Sequence, residues 1–227
     1  MTAGREVLPH EIYVPGDTND AVPVLILLHG RGSHRGDLFG LQRHLPPEWA
    51  VVAPDAPFPA APWGYGAGYA WYRYMGRNVP EEASFSGSLD ALDRLLETLP
   101  DILGTPPSSV ALGGFSQGGT VSTAYALSRP GRVRHVLNFS GFLADHPAVS
   151  ATPDAVAGTR FFWGHGTQDG NIPFALGEEG RAALRAAGAD LDARDYDIGH
   201  WIDPTELADA VAWLQRGGFQ VSNASGS

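Results

Sequence analysis

A serine between two glycines, in Gly114-Phe115-Ser116-Gln117-Gly118, constrains most strongly how this chain of 227 residues can fold. The apolar residues 110–113 before it predict a short buried strand, and residues 119–128 predict a helix that ends before Pro130. At so sharp a strand-to-helix turn, a serine hydroxyl stands clear of the sheet, beside the unpaired N–H groups of the helix N-terminus. We expect side chains larger than glycine at positions 114 and 118 to collide with the neighbouring strand or helix. Because glycine-rich turns are common, the pattern points to a catalytic serine only if the chain also supplies an acid, a base and an oxyanion hole.

The composition excludes several classes of mechanism. The chain has no cysteine, which rules out a thiol nucleophile, disulfides and thiolate metal sites. All 15 basic residues are arginine, which rules out Schiff-base chemistry, a lysine general base and a P-loop lysine. The net charge of −10 argues against nucleic acid and anionic membranes as partners, because both bind clustered positive charge.

Length and hydropathy predict a single domain over residues 1–217 and a small, polar tail over 218–227 that we expect to be flexible. No apolar segment follows Met1, and no apolar run is long enough to span a bilayer. We therefore expect a cytoplasmic protein without a signal peptide or membrane span. A homodimer is left open.

Strand and helix patterns alternate along the chain. This alternation predicts an α/β fold with a mostly parallel central sheet and helices on both faces. A helix through Leu89–Leu99 would be capped by Ser86 or Ser88 and ended by Pro100. The remaining predicted helices are 37–45, 119–128, 178–187 and 204–216, and the predicted strands are 6–14, 24–28, 51–53, 110–113, 133–139, 160–163 and 191–198. In such a sheet, functional residues lie just beyond the carboxyl ends of the strands.

An acid and a base follow the serine in the required chain order. Asp169 comes directly after the strand 160–163, and His200 comes directly after the last strand. The rival base, His165, precedes the acid. The competing acids do not follow a strand end in this way; they are Asp145, Asp154, Asp192, Asp195 and Asp197. We predict that His200 takes the proton of Ser116 and that Asp169 fixes the imidazole tautomer.

Two backbone N–H groups are predicted to stabilise the oxyanion that forms when Ser116 attacks an acyl carbon. One belongs to Gln117, the residue after the nucleophile, and the other to Arg31, in the loop after the strand 24–28. Gly30 and Gly32 allow that loop to approach closely.

The stretch 57–75 is rich in aromatic residues and has no clean period, which predicts a long ordered loop. From its position we predict that it forms an apolar substrate pocket together with residues near strand ends. The predicted pocket residues are Trp71, Tyr72, Phe142, Ile172 and Trp201. The alternative is that the aromatic rings simply cover the core beneath the loop.

Four motifs together resemble the phospholipase/carboxylesterase family, the acyl-protein-thioesterase-like branch of the α/β-hydrolases. The motifs are His29-Gly30-x-Gly32, the serine elbow with Gln117 and Gly119, Gly164-His165-Gly166-x-x-Asp169, and Gly199-His200. The resemblance covers about residues 22–214. It implies a hydrolase of carboxylic esters or thioesters that has no large lid and needs no cofactor, with oxyanion donors at positions 31 and 117.

The chain departs from the family pattern after the His-Gly pair. Members commonly have an aliphatic residue followed by Gly-Asp, whereas this chain has Arg31-Gly32-Ser33. The Arg31 side chain could attract an anionic substrate, face solvent or pair with an acid.

The sequence thus favours a serine carboxylesterase that acts on a small-molecule ester through Ser116, His200 and Asp169. The alternatives are a hydrolase fold that only binds, and acyl transfer or peptide cleavage by the same three residues. A metal site is disfavoured because the candidate ligands lack a recognisable spacing; they are His29, His34 and His165.

Overall fold

A seven-stranded, mostly parallel sheet forms the centre of the molecule in a computed structural model that describes residues 7–16 and 21–220. Numbered in chain order, the strands are β1 (His10–Tyr13), β2 (Pro23–Leu28), β3 (Ala50–Pro54), β4 (Phe58–Pro59), β5 (Tyr69–Ala70), β6 (Tyr74–Gly76), β7 (Val79–Pro80), β8 (Ser109–Phe115), β9 (His135–Phe139), β10 (Arg160–Gly166) and β11 (Asp190–Tyr196). The sheet order is β1-β3-β2-β8-β9-β10-β11, in which β1 is antiparallel to β3 and the other pairs are parallel. The short strands β4–β5 and β6–β7 form two separate antiparallel pairs.

Helices pack on both faces of this sheet. They are α1 (Arg35–Phe39), α2 (Glu82–Leu103), α3 (Gln117–Ser128), α4 (Pro153–Val156), α5 (Phe174–Ala186) and α6 (Pro204–Arg216). Alternate side chains of the buried strand β2 enter two different apolar clusters, since successive strand residues point to opposite faces. One cluster contains residues of α2, α3 and α5, and the other contains residues of α1 and α6. The predicted α/β class and mostly parallel sheet are confirmed.

Helix α2 is longer than its leucine repeat predicted. It begins at Glu82, before both serines expected to cap it, and it continues past Pro100 to Leu103. The Ser88 hydroxyl donates a hydrogen bond to the Trp71 carbonyl, so the helix uses this serine to hold a neighbouring loop instead of its own end. Pro100 is accommodated near the C-terminus, where leucines of the last turns remain packed on the core.

The other differences concern the ends of elements. The predicted helix 37–45 is divided into α1 and a 3₁₀ turn, Gly40–His44. Helix α5 begins four residues earlier than predicted, and α6 matches its predicted bounds, with the Asp203 carboxylate accepting the Thr205 N–H at 2.7 Å. The loop 57–75 contains the β4–β5 pair and a short 3₁₀ turn, Ala61–Trp63.

Within the part of the chain that the structure describes, no helix is both long and apolar enough to cross a membrane. The single domain over 1–217 remains a prediction. Of the predicted flexible tail, residues 221–227 lie outside the described residues.

Candidate active site

Ser116 lies at the turn between β8 and α3, in a backbone conformation that few residues adopt. Its φ is 56° and its ψ is −114°, and its N–H donates to the Phe139 carbonyl of β9 at 2.8 Å. A Cβ at Gly118 would lie 1.9 Å from the Leu28 carbonyl oxygen, and one at Gly114 would lie 2.4 Å from the Gly118 carbonyl carbon. The close approach of β2, β8 and α3 therefore requires glycine at both positions.

The structure brings the predicted serine, histidine and aspartate into one hydrogen-bonded line. The Nε2 atom of His200 is 3.0 Å from Oγ of Ser116, and its Nδ1 atom is 2.7 Å from Oδ2 of Asp169. An ionised carboxylate only accepts hydrogen bonds, so this network places the imidazole proton on Nδ1. The Nε2 lone pair then faces the serine hydroxyl, which is the arrangement that a general base requires.

Asp169 is held by its own loop. Its side chain is fully buried, and its Oδ1 accepts the N–H groups of Asn171 and Ile172, both at 2.8 Å. The rival base, His165, lies behind the aspartate, with Nε2 3.0 Å from the Ile172 carbonyl oxygen and 3.5 Å from Asp169 Oδ2. Burial lowers the pKa of His165, which favours a neutral ring that supports this loop. The motif that contains His165 and Asp169 did not by itself predict that the histidine supports the aspartate loop.

The two predicted oxyanion donors lie on the same cavity as Ser116. Gln117 is the first residue of α3, a position at which no carbonyl of the same helix accepts the backbone N–H. The loop that contains Arg31 is fixed by two backbone hydrogen bonds, from Gly32 N–H to the Tyr69 carbonyl at 2.8 Å and from Tyr69 N–H to the Ser33 carbonyl at 2.7 Å. Their role as oxyanion donors stays a prediction.

Gln117 also joins the elbow to the aromatic loop through its side chain. Its Oε1 accepts the Trp71 N–H at 3.1 Å, and its Nε2 donates to the Tyr72 carbonyl at 2.9 Å. The Trp71 indole in turn donates to the His29 carbonyl at 2.9 Å. The sequence predicted only a backbone role for Gln117 and gave no sign of these side-chain contacts.

His29 is part of the scaffold under the site. Its Nδ1 lies 2.7 Å from the Gly30 carbonyl, and its Nε2 accepts the Ala56 N–H at 3.0 Å. Both ring nitrogens are therefore used, and burial lowers the pKa of the ring. Among the residues the structure describes, no three histidine, aspartate or glutamate side chains form a group that could hold a metal ion.

The cavity beside Ser116 has a volume of about 250 Å³. Three of the five predicted pocket residues line it, namely Tyr72, Phe142 and Ile172. Further lining residues that the sequence did not single out for the pocket include Ser33, Asp37, Tyr74, Phe115 and Asn171. The Phe115 ring also packs against the ring of His200, the predicted base, with the two ring centroids 4.6 Å apart.

Two predicted pocket residues do not lie on the cavity wall. Trp71 is fully buried behind the cavity wall, where its indole N–H donates to a backbone carbonyl. For this ring the alternative prediction, that it covers the core beneath the loop, fits the structure better than a place in the pocket. Trp201 is 55% exposed and lies over Gly199, on the outer side of the histidine loop. A position in the aromatic loop was not sufficient to place the Trp71 ring in the cavity, and proximity to a strand end was not sufficient for Trp201.

Comparisons with known proteins agree with this architecture. The family model described as Phospholipase/Carboxylesterase matches residues 10–216. The chain is 27% identical to acyl-protein thioesterase 1 of Eremothecium gossypii, over 90% of this chain and 92% of that protein. It superimposes on the crystal structure of esterase PE8 with a TM-score of 0.74 and 27% identity, covering 92% of this chain and 98% of the other. A protein of Oryza sativa subsp. japonica named a probable inactive carboxylesterase is 32% identical, but over only 50% of this chain and 47% of its own length.

Proposed function

The chain belongs to the phospholipase/carboxylesterase family of α/β-hydrolases, and we propose that it hydrolyses carboxylic esters with Ser116 as nucleophile, His200 as general base and Asp169 as the orienting acid. The family and the relatives support an esterase or thioesterase. The observation that supports the finer assignment is the line of two hydrogen bonds, 3.0 and 2.7 Å long, through the two nitrogens of His200.

The first half of the reaction forms an acyl-enzyme. Ser116 Oγ attacks the ester carbonyl carbon as His200 Nε2 takes the hydroxyl proton, and the oxyanion is bound by the N–H groups of Gln117 and Arg31. When the carbon–oxygen bond to the alcohol breaks, His200 returns that proton to the departing oxygen. The Asp169 carboxylate stabilises the imidazolium in between.

The second half restores the enzyme. A water molecule gives one proton to His200 Nε2 and attacks the acyl carbon. The bond to Ser116 Oγ then breaks, the serine oxygen regains the proton, and a carboxylic acid leaves.

The cavity, with a volume of about 250 Å³, has room for a small acyl group. The walls combine aromatic side chains with a few polar groups, as small-molecule sites generally do.

Thioester cleavage is the second candidate, because a relative is named an acyl-protein thioesterase. The same steps apply with sulfur as the leaving atom. Oxygen esters and thioesters of one short acid, compared by kcat/KM, separate the two candidates.

The proposed function is tested with Ser116→Ala, using short p-nitrophenyl esters and a fluorophosphonate probe. We expect turnover to fall by at least about 10⁴-fold and labelling to disappear, because no other group can form the acyl-enzyme. Ser128→Ala is the matched control: it removes a hydroxyl at the far end of α3, where Oγ contacts the Tyr125 carbonyl, and should keep both signals.

The melting temperature of Ser116→Ala should stay close to that of the native protein. Retained turnover in a folded Ser116→Ala protein would show that the nucleophile is misassigned. Absence of both labelling and turnover in the native protein would favour a binding role. Labelling without turnover would favour acyl transfer to an acceptor other than water.

A further inference from the structure

The Arg31 guanidinium is a positive group at the cavity, and no carboxylate of the described residues pairs with it. It lies 4.8 Å above the centroid of the Tyr65 ring and lines the cavity together with Ser116. Within residues 7–16 and 21–220, no carboxylate oxygen forms an ion pair with it. The acid on the same wall, Asp37, instead accepts the Ser33 hydroxyl at 2.7 Å.

We propose that the substrate is an ester that also bears a carboxylate, which is held by the Arg31 guanidinium. This inference rests on the proposed function, since the same cavity contains the nucleophile. A guanidinium offers only hydrogen-bond donors and a positive charge, so it complements a carboxylate. Because the cavity is small, the carboxylate would lie only a few bonds from the ester carbonyl.

The charge of the whole protein opposes an anionic ligand unless a positive group lies at the site. At a net charge of −10 the molecule repels anions on average, and Asp37 adds a negative group to the cavity wall. An anionic substrate therefore requires specific donors at the site. A merely structural Arg31, stacked on Tyr65 to hold its loop, would act equally on neutral and charged esters.

The experiment compares kcat/KM for matched neutral and anionic esters. One pair places the carboxylate on the acyl side, with the p-nitrophenyl half ester of succinic acid against p-nitrophenyl butyrate. The other pair places it on the leaving group, with a carboxyphenyl acetate against phenyl acetate. The measurement is the ratio of anionic to neutral kcat/KM, because the Arg31 N–H is itself a proposed oxyanion donor and a substitution there can change both rates.

For the native protein we expect an anionic-to-neutral ratio above one in one of the two pairs, and that pair shows which side of the ester carries the carboxylate. Arg31→Gln should lower this ratio about tenfold, while Asp37→Asn should raise it about twofold. Added salt should also lower the ratio. Arg73→Gln is the matched control, since it removes one positive charge from the same aromatic loop but from a side chain that contacts Glu81 at 3.8 Å.

Equal ratios in Arg31→Gln and Arg73→Gln, with neutral esters still hydrolysed through Ser116, would overturn this inference and leave the proposed function intact. Failure of the native protein to hydrolyse any ester would overturn the proposed function and this inference with it.

Discussion

Two buried carboxyl groups, those of Asp169 and Glu206, lie close to β10. They differ in the hydrogen bonds that their oxygens accept. Asp169 follows the strand, and its two oxygens accept hydrogen bonds from His200 and from two backbone N–H groups. Glu206, in the first turn of α6, is fully buried against Gly164, yet neither of its oxygens has a hydrogen-bond partner among the described residues. Burial raises the pKa of Glu206 to about 8. Two equally buried carboxyl groups can therefore differ in how many hydrogen-bond donors surround them.

The position of Glu206 follows from the start of its helix. Asp203 caps α6, and a glutamate three residues later is the spacing of a capping box, in which the side chain turns back toward the cap. The Asp203 backbone offsets part of the rise in the Glu206 pKa, but the geometry does not reach that of a hydrogen bond. A Cβ at residue 164 would lie 1.9 Å from Glu206 Oε1, so glycine there makes room for the carboxyl.

The comparison is tested most strongly by Asp169→Asn. An amide at this position can donate to Nδ1 of His200 and favour the wrong tautomer, so we expect kcat for a short ester to fall about 10⁴-fold. Asp197→Asn is the control, because Asp197 is exposed and accepts from Gln168 Nε2 at 2.6 Å outside the cavity; its kcat should change less than about twofold. A similar kcat in the two variants would mean that the buried aspartate is not the orienting acid.

The chain order of strand ends was enough to predict which side chains meet at the site. Ser116, Asp169 and His200 each follow a strand of one parallel sheet, and such strands place their carboxyl ends along one edge. The elbow glycines were likewise predictable, because the strand-to-helix turn leaves no room for a Cβ.

The contents of the cavity were less predictable, because they depend on how loops pack across the sheet. Trp71 is turned inward by hydrogen bonds to His29 and Gln117, which lie far from it in sequence. Ser88 was expected to cap a helix but binds the Trp71 carbonyl for the same reason. No local pattern reports such long-range partners, and the same holds for the contact between Glu206 and Gly164.

Glu206→Gln should remove the part of the pH dependence of stability that arises from the buried Glu206 carboxyl group. The folded-state pKa of Glu206 is raised from 4.5 to about 8, so between these values the folded protein retains a proton that the unfolded chain loses. The contribution of Glu206 is favourable below pH 4.5 and is lost as the pH rises toward 8. At pH 8 the glutamine variant should be more stable by on the order of 3 kcal/mol, and at pH 4 the two proteins should be nearly equal.

Denaturant unfolding at several pH values measures this effect. Glu178→Gln is the control, since this glutamate is half exposed and pairs with Arg181 at 3.1 Å. Parallel stability–pH curves for the native protein and Glu206→Gln would show that the pKa of Glu206 is the same in the folded and unfolded states, contrary to this expectation.

The smallest effect concerns a third carboxylate, Asp203, which is exposed but well supplied with donors. Hydrogen bonds from the Thr205 hydroxyl and then from the Thr205 N–H lower the pKa of Asp203 below 3.8. Its contribution is therefore present above pH 3.8 and is lost as the pH falls through the folded-state pKa, the opposite direction to Glu206. Asp203→Ala should lower the melting temperature at pH 7 by roughly 2–4 °C, and Asp203→Asn, which keeps an acceptor oxygen, by less. An equally large fall in the melting temperature of Asp203→Ala at pH 3 and at pH 7 would contradict this expectation. It would show that hydrogen-bond donors do not account for the difference between these carboxylates.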